Sequence, residues 1–157
     1  MKKNILISVI LFAGVILLNS CGYKQLYNKD SNKFYIENVV ISGERKVGYL
    51  LKDDILLYSS QQSANKLRIT LDSILNKEIK NKSISGKVSR YEIGLKVDLT
   101  IENNGIDKVL KKSFSKTSSF DVASSHSKTI NNEKTTIKSI SSSVAGDILN
   151  FMNISYK

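Results

Sequence analysis

The sequence predicts an α+β domain: a two-layer sandwich with a four-stranded, mainly antiparallel sheet and two helices on one of its faces, in the order β-α-β-β-β-α. Three observations carry this. The segment from Arg90 to Glu102 alternates apolar and polar residues over its whole length, as a strand with one wet face does. Two other segments, Arg45 to Tyr58 and Ile130 to Met152, repeat apolar residues at three- and four-residue steps, the mark of amphipathic helices. Asn104-Gly105 follows the long strand and is the dipeptide that most readily takes up a two-residue hairpin turn. One apolar sheet face and two apolar helical stripes are buried most simply against each other in two layers.

Each element has its own justification. Lys33 to Ile41 (Lys-Phe-Tyr-Ile-Glu-Asn-Val-Val-Ile) is rich in aromatic and β-branched residues and reads as the first strand, which Ser42-Gly43 interrupts. Val47, Leu50, Leu51, Ile55 and Tyr58 form the stripe of the first helix; Gly48 is a poor helix former near its start. Lys66 to Leu71 alternates, with Leu67, Ile69 and Leu71 on one side, and is the second strand. Asn76 to Ser89 is polar and basic, contains Gly86, and is a long connection for a hairpin, either mobile or partly stranded. In the third strand Tyr91, Ile93, Leu95, Val97, Leu99 and Ile101 share the core face. Residues from about Asp107 to Phe120 return beside it. There Leu110 and Phe114 share a face with Lys112 and Lys116, which only an edge strand tolerates. After a Ser-rich stretch, Ile130, Ile137, Ile140, Val144, Ile148 and Phe151 or Met152 form the stripe of the second helix. Ser141 to Ser143 are weak helix formers, so that helix depends on its packing.

Composition excludes whole classes of function. The chain has 157 residues, no Pro, no Trp, one Cys, one His and a formal net charge of +10. That length makes one domain. One Cys and one His exclude an internal disulfide framework, a zinc site with two Cys ligands and a His cluster, so no metal and no cofactor is expected. No Gly-x-Ser-x-Gly elbow or phosphate-binding glycine loop is present, and no enzymatic activity is expected. Asp53-Asp54 are neighbours only in sequence, pointing about 100° apart on a helix. His126, in Ser124-Ser125-His126-Ser127, reads as a loop histidine; a hydrolase built on Ser and His126 ranks third among the readings.

The first twenty residues differ in kind from the rest. Lys2 and Lys3 precede an uncharged apolar run from Ile5 to Leu18, the form of a secretory signal peptide. At the helical rise that run covers about 21 Å, short of the roughly 30 Å hydrocarbon core of a bilayer. It ends in Leu18-Asn19-Ser20-Cys21-Gly22, which resembles a bacterial lipobox, in which the Cys thiol is lipidated and the chain is cut before it. The expected organisation is therefore a signal peptide over 1–20, a lipidated tether over 21–32 and one domain over 33–157, with Cys21 the modified residue. Gly22, where Asp would favour inner-membrane retention, points to the periplasmic side of the outer membrane. In that compartment the Lys excess suits anionic lipid or glycolipid, and nucleic acid is not an expected partner.

The chain also resembles the LPS-assembly lipoproteins of the LptE type, in their alphaproteobacterial form. Cys21-Gly22-Tyr23-Lys24-Gln25-Leu26-Tyr27 is similar to that family's opening Cys-Gly-aromatic-x-Pro-Leu-Tyr, with Gln25 in place of Pro. Arg45-Lys46-Val47-Gly48-Tyr49-Leu50-Leu51 looks like its Arg-x-x-Gly-x-Leu-Leu entry to the first helix. Arg90-Tyr91 before the long strand and the Val144-Ala145 and Ile148-Leu149 steps of the last helix sit where the family places them. The resemblance implies a non-catalytic subunit that occupies the lumen of the LptD-type outer-membrane β-barrel, helps it assemble and contacts lipopolysaccharide on its way to the outer leaflet. Lipopolysaccharide carries clustered phosphates, for which Lys and Arg are the natural ligands. The candidate contacts are Lys87 and Arg90 at the entrance to the long strand, with Lys128 and Lys134 near the start of the second helix. The alternative reading is a generic outer-membrane lipoprotein that binds another envelope protein.

Overall fold

Strict alternation decides the centre of the molecule. Ile93, Leu95, Val97, Leu99 and Ile101 are each at most 1% exposed, on one face of a strand with a neighbour on either side. In the computed structural model, which describes residues 33–61, 63–103 and 108–156, that strand is β3 (Val88–Asn103). The other elements are β1 (Tyr35–Gly43), α1 (Arg45–Leu56), β2 (Lys66–Lys82), β4 (Lys108–Asp121) and α2 (His126–Ser155). The order is the β-α-β-β-β-α of the sequence reading, and the sheet order is β1-β2-β3-β4. The predicted signal peptide over 1–20, Cys21, the tether over 21–32 and the Asn104-Gly105 turn lie outside the described residues.

The sheet is mixed. β2, β3 and β4 form an antiparallel meander, whereas β1 runs parallel to β2, with Tyr35 opposite Lys66 and Gly43 opposite Ser73. A parallel neighbour needs a crossover, and α1 supplies it. At the β1–α1 corner Gly43 has φ +74°, and a Cβ there would collide with the Ser73 carbonyl; the Glu44 N–H donates to that carbonyl at 2.8 Å. Within α1, Val47, Gly48, Leu51 and Ile55 are buried. Gly48 lies so close to β1 that a Cβ would collide with Cγ2 of Ile41. The residue that weakens the helix by propensity is the one that lets the helix approach the sheet.

β2 is longer than its sequence pattern. The strand expected to end at Leu71 continues to Lys82, and most of the expected 76–89 connection is the far end of a β2–β3 hairpin. Beyond Ser73 most of its residues are exposed on both faces, so no alternation marks it as strand. A tight turn closes the hairpin: the Ser83 N–H donates to the Lys87 carbonyl at 2.7 Å, the Gly86 N–H to the Ser83 carbonyl at 2.9 Å, and Gly86 has φ +78°. Since β1 stops opposite Ser73, no strand among the described residues pairs with the other edge of β2 from Ile74 onward.

β4 is the edge strand that its lysines called for. Lys112 stands opposite Leu99 and Lys116 opposite Leu95, both on the core face. Each carries its charge past the apolar layer to α2. The Lys116 ammonium reaches Asp147 at 2.9 Å and the Ser143 hydroxyl at 2.6 Å, and the Lys112 ammonium sits 4.5 Å from the centre of the Phe151 ring. α2 itself begins at His126, earlier than its apolar stripe. Ser125 caps it by accepting the Lys128 N–H, so His126 is the first helical residue rather than a loop histidine. Ile137, Ile140, Val144, Ala145, Ile148, Leu149 and Met152 bury the stripe, and the hydroxyl of buried Ser141 is satisfied by the Ile137 carbonyl at 2.8 Å. Both helices cover the same face, and one core results. No helix among the described residues is long and apolar enough to cross a membrane.

Candidate binding surface

The hairpin end of the sheet, where β2 finishes, β3 starts and β4 finishes, is also where α2 begins, because four residues separate β4 from His126. All four candidate basic residues therefore lie at one end of the domain, on different elements. Their states differ. The Arg90 Nε donates to the Asp121 carboxylate at 2.6 Å across the β3–β4 register, which pairs these residues directly. The carboxylate holds the guanidinium above its ordinary pKa, and the guanidinium holds Asp121 below the usual carboxylate range. The Asp121 carbonyl in turn accepts from Asn132 Nδ2 at 3.1 Å, fastening the first turns of α2 to the strand end. Arg90 is thus a joint between elements.

Lys87 sits in the hairpin turn, where its carbonyl accepts from Ser83. Its ammonium, and those of Lys128 and Lys134, have no ion-pair partner among the described residues, and neither has that of Lys82. Two other lysines at this end are occupied. Lys77 pairs with Glu133 of α2 at 2.6 Å and lies 4.5 Å from the Tyr91 ring centre and 5.3 Å from that of Phe120, two rings stacked at 5.6 Å. Lys80 pairs with Glu92. Because each internal pair cancels, the net positive field at this end comes from Lys82, Lys87, Lys128 and Lys134, reduced by the carboxylate of Glu78 on β2. Reading along the chain did not reach Lys82, the nearest basic residue to the turn on the β2 side, since that segment carried no strand signal.

Lys134 also borders a shallow hollow of about 290 Å³ with His126, Ser127, Ile130 and Asn131. His126 has no hydrogen-bond partner among the described residues, so nothing there orients it as a base toward Ser127. Asp53 and Asp54 lie far along the chain on α1; Asp54 borders a separate groove between the helices, lined by Leu57, Tyr58, Ser142, Ala145, Gly146 and Leu149. No three His, Cys, Asp or Glu side chains among the described residues are grouped to hold a metal ion.

On the sheet's outer face, Arg68, Thr70 and Asp72 of β2 stand beside Lys96, Asp98 and Thr100 of β3 and Lys111, Ser113 and Ser115 of β4. Asp98 accepts from the Ser113 hydroxyl and from the Lys96 ammonium at 3.0 Å, and these bonds, the hydroxyl's above all, hold its pKa below the usual range. The face is mostly polar and mixes both signs of charge, with exposed Ile74 and Val109 among them.

The model of the family described as LptE, Lipopolysaccharide-assembly, matches residues 32–152. The chain belongs to the LptE family. Three solved structures share its fold at low identity. The rare lipoprotein B from Shewanella oneidensis superposes with a TM-score of 0.56 at 15% identity, over 75% of this chain and 95% of that one. A putative lipoprotein from Caulobacter crescentus gives 0.59 at 17%, over 82% and 94%. An uncharacterized lipoprotein B from Nitrosomonas europaea gives 0.50 at 18%, over 74% and 83%. No curated protein sequence matches the chain. In this LptE-family chain the matched range holds all four strands, the first helix and α2 except its last three residues, Lys87, Arg90, Lys128 and Lys134 included, and begins after Cys21.

Proposed function

We propose that this chain is a non-catalytic lipoprotein, held by lipid on Cys21 at the periplasmic side of the outer membrane, that plugs and helps assemble an LptD-type β-barrel and assists insertion of lipopolysaccharide into the outer leaflet. The observation that carries the reading is the family match, which reaches every described strand and both helices, rather than a local motif. Two physical features support it. A barrel lumen is polar, and the outer face with its interleaved Thr, Ser and charges of both signs suits such a wall. Lipopolysaccharide phosphates suit the unpaired ammonium groups of Lys87, Lys128 and Lys134, while Arg90 contributes through its place beside them at the strand entrance.

Affinity capture from detergent-solubilised outer membranes tests the partnership: a large β-barrel should co-purify, and depletion of the chain should lower assembled barrel and surface lipopolysaccharide together. Normal levels of both after complete depletion would overturn the reading. Intact-mass measurement of the membrane-extracted protein tests the anchor, since a mass equal to unmodified residues 1–157 would remove Cys21 from it.

A further inference from the structure

The hairpin turn combines an exposed isoleucine and Lys82, which the proposed function does not use, with Lys87, which it does. β4 pairs with β3 as far as Asp121 opposite Arg90, and the Val122 N–H still donates to the Ser89 carbonyl at 2.9 Å, so from Lys82 through Val88 the hairpin stands past both neighbouring strands. One further ladder pair, Lys82 with Val88, and the Ser83–Lys87 turn carry its apex beyond them. At the apex is Ile84, fully exposed and the most exposed large apolar residue described. Lys82 and Lys87 flank it without ion-pair partners, one on each arm. The nearest acidic residue by register, Asp121, is taken by Arg90; Glu78 and Glu92 lie further down the arms, opposite each other, and Glu92 is taken by Lys80.

An apolar apex between two cations is the arrangement that an anionic lipid interface receives: the side chain enters the headgroup boundary to a depth of about 5–10 Å while the ammonium groups meet phosphates. Such a boundary penalises unpaired backbone polar groups, and here the turn closes on itself. Ser83 N–H to Lys87 O and Gly86 N–H to Ser83 O pair two of its backbone amides from within, and the Ser83 and Ser85 hydroxyls pair with each other at 2.9 Å. In water alone an isoleucine here gains nothing, since it packs on no neighbour.

We propose that the β2–β3 turn is a membrane-contact finger that seats Ile84 in an anionic phospholipid leaflet, with Lys82 and Lys87 on its phosphates. The finger is distinct from the surface formed by Lys128 and Lys134, and it would hold the domain against the leaflet whether or not a barrel is present.

The chain contains no Trp, so Ile84→Trp places a single reporter at the apex, and Val109→Trp places one at an exposed site near the start of β4, at the other end of the sheet. The full-length protein carrying either change is bound to vesicles of phosphatidylethanolamine with phosphatidylglycerol, or of phosphatidylcholine alone, and separately to lipopolysaccharide aggregates. On the anionic vesicles the Ile84→Trp indole should emit at shorter wavelength and lose its quenching by iodide, the Val109→Trp indole should do neither, and neutral vesicles should leave both unchanged. Adding Lys82→Gln and Lys87→Gln should lower the insertion equilibrium roughly 30-fold, the conversion of about 1 kcal/mol for each lysine at an anionic surface. An indole that stays quenched on anionic vesicles overturns the proposal, as does an equal response on neutral ones. A response to lipopolysaccharide alone also overturns it and assigns the turn to the ligand surface, leaving the proposed function intact. Circular dichroism of each variant confirms folding, because both positions are exposed.

Discussion

Gly48→Ala should destabilise this protein, although it places the best helix former in the first turn of a helix. By propensity alone the change is worth about 1 kcal/mol in favour of folding. Against it stands the contact with β1: the new Cβ would occupy the place of Cγ2 of Ile41, and Ile41 is pinned in the sheet opposite Leu71. Forcing a methyl group into such a junction costs about 1–3 kcal/mol. The net expectation is a loss of about 1 kcal/mol. Shortening the obstructing side chain should reverse the sign. In an Ile41→Ala background only the Cβ at 3.4 Å remains near the new methyl group, and Gly48→Ala should then stabilise by up to about 1 kcal/mol. A double-mutant cycle by urea unfolding should therefore show a coupling of about 2 kcal/mol between positions 41 and 48, well above the scatter of about 0.5 found for independent sites. If Gly48→Ala stabilises the parent chain, or if the two changes are additive, close approach is not the reason for glycine at this position.

Leu99→Ala, at the centre of the core face, should cost about 2–5 kcal/mol in chemical denaturation, whereas exposed Val109→Ala should stay within about 0.5. Asp98 and Asp121 have folded-state pKa values held below the usual range, by Ser113 and Lys96 and by Arg90 respectively. Their contribution is complete above the unfolded carboxylate value of about 4 and is lost as pH falls toward the folded values, so Asp98→Asn with Asp121→Asn should flatten the acid limb of a stability–pH curve below that pH. Replacing Lys87, Lys128 and Lys134 together by Gln should weaken lipopolysaccharide binding by several kcal/mol at most, each charge-assisted contact being worth about 1.5–3. Arg90→Gln should add little in the same binding titration because Asp121 already holds the guanidinium, and the parent affinity should fall as salt is raised.

How much of this was legible in the sequence depends on whether one face of an element is dry. β3 and the later two-thirds of α2 each press a regular apolar face on the core, and their residues name the core correctly. The outer half of β2 has no dry face and left no pattern, so a polar segment that looked like a connection is strand held by its ladder with β3. β4 broke its own pattern with Lys112 and Lys116, and that break was informative: long stems allow a lysine on the core side of an edge to end at Asp147 or over Phe151. The parallel placement of β1 follows from a helix lying between two neighbouring strands, although residue patterning carries no sign of direction. In the candidate surface the basic residues were visible as residues, but the pairing of Arg90 with Asp121 depends on a register between positions 31 apart.

The edge of β2 past Ser73 bears on solubility. From Ile74 to Lys82 it presents backbone donors and acceptors to which a strand from another molecule could add, and Ile74 and Ile79 are exposed along it. Lys77, Lys80 and Lys82 recur along the same nine residues, and the ladder slips register at Ile79/Asn81 and again at Asn81/Lys82. Two molecules brought edge to edge would meet a rail whose donor–acceptor spacing no longer matches, with the unpaired Lys82 at its end. The longest strand among the described residues thus carries, along its free edge, features that oppose pairing with a second copy.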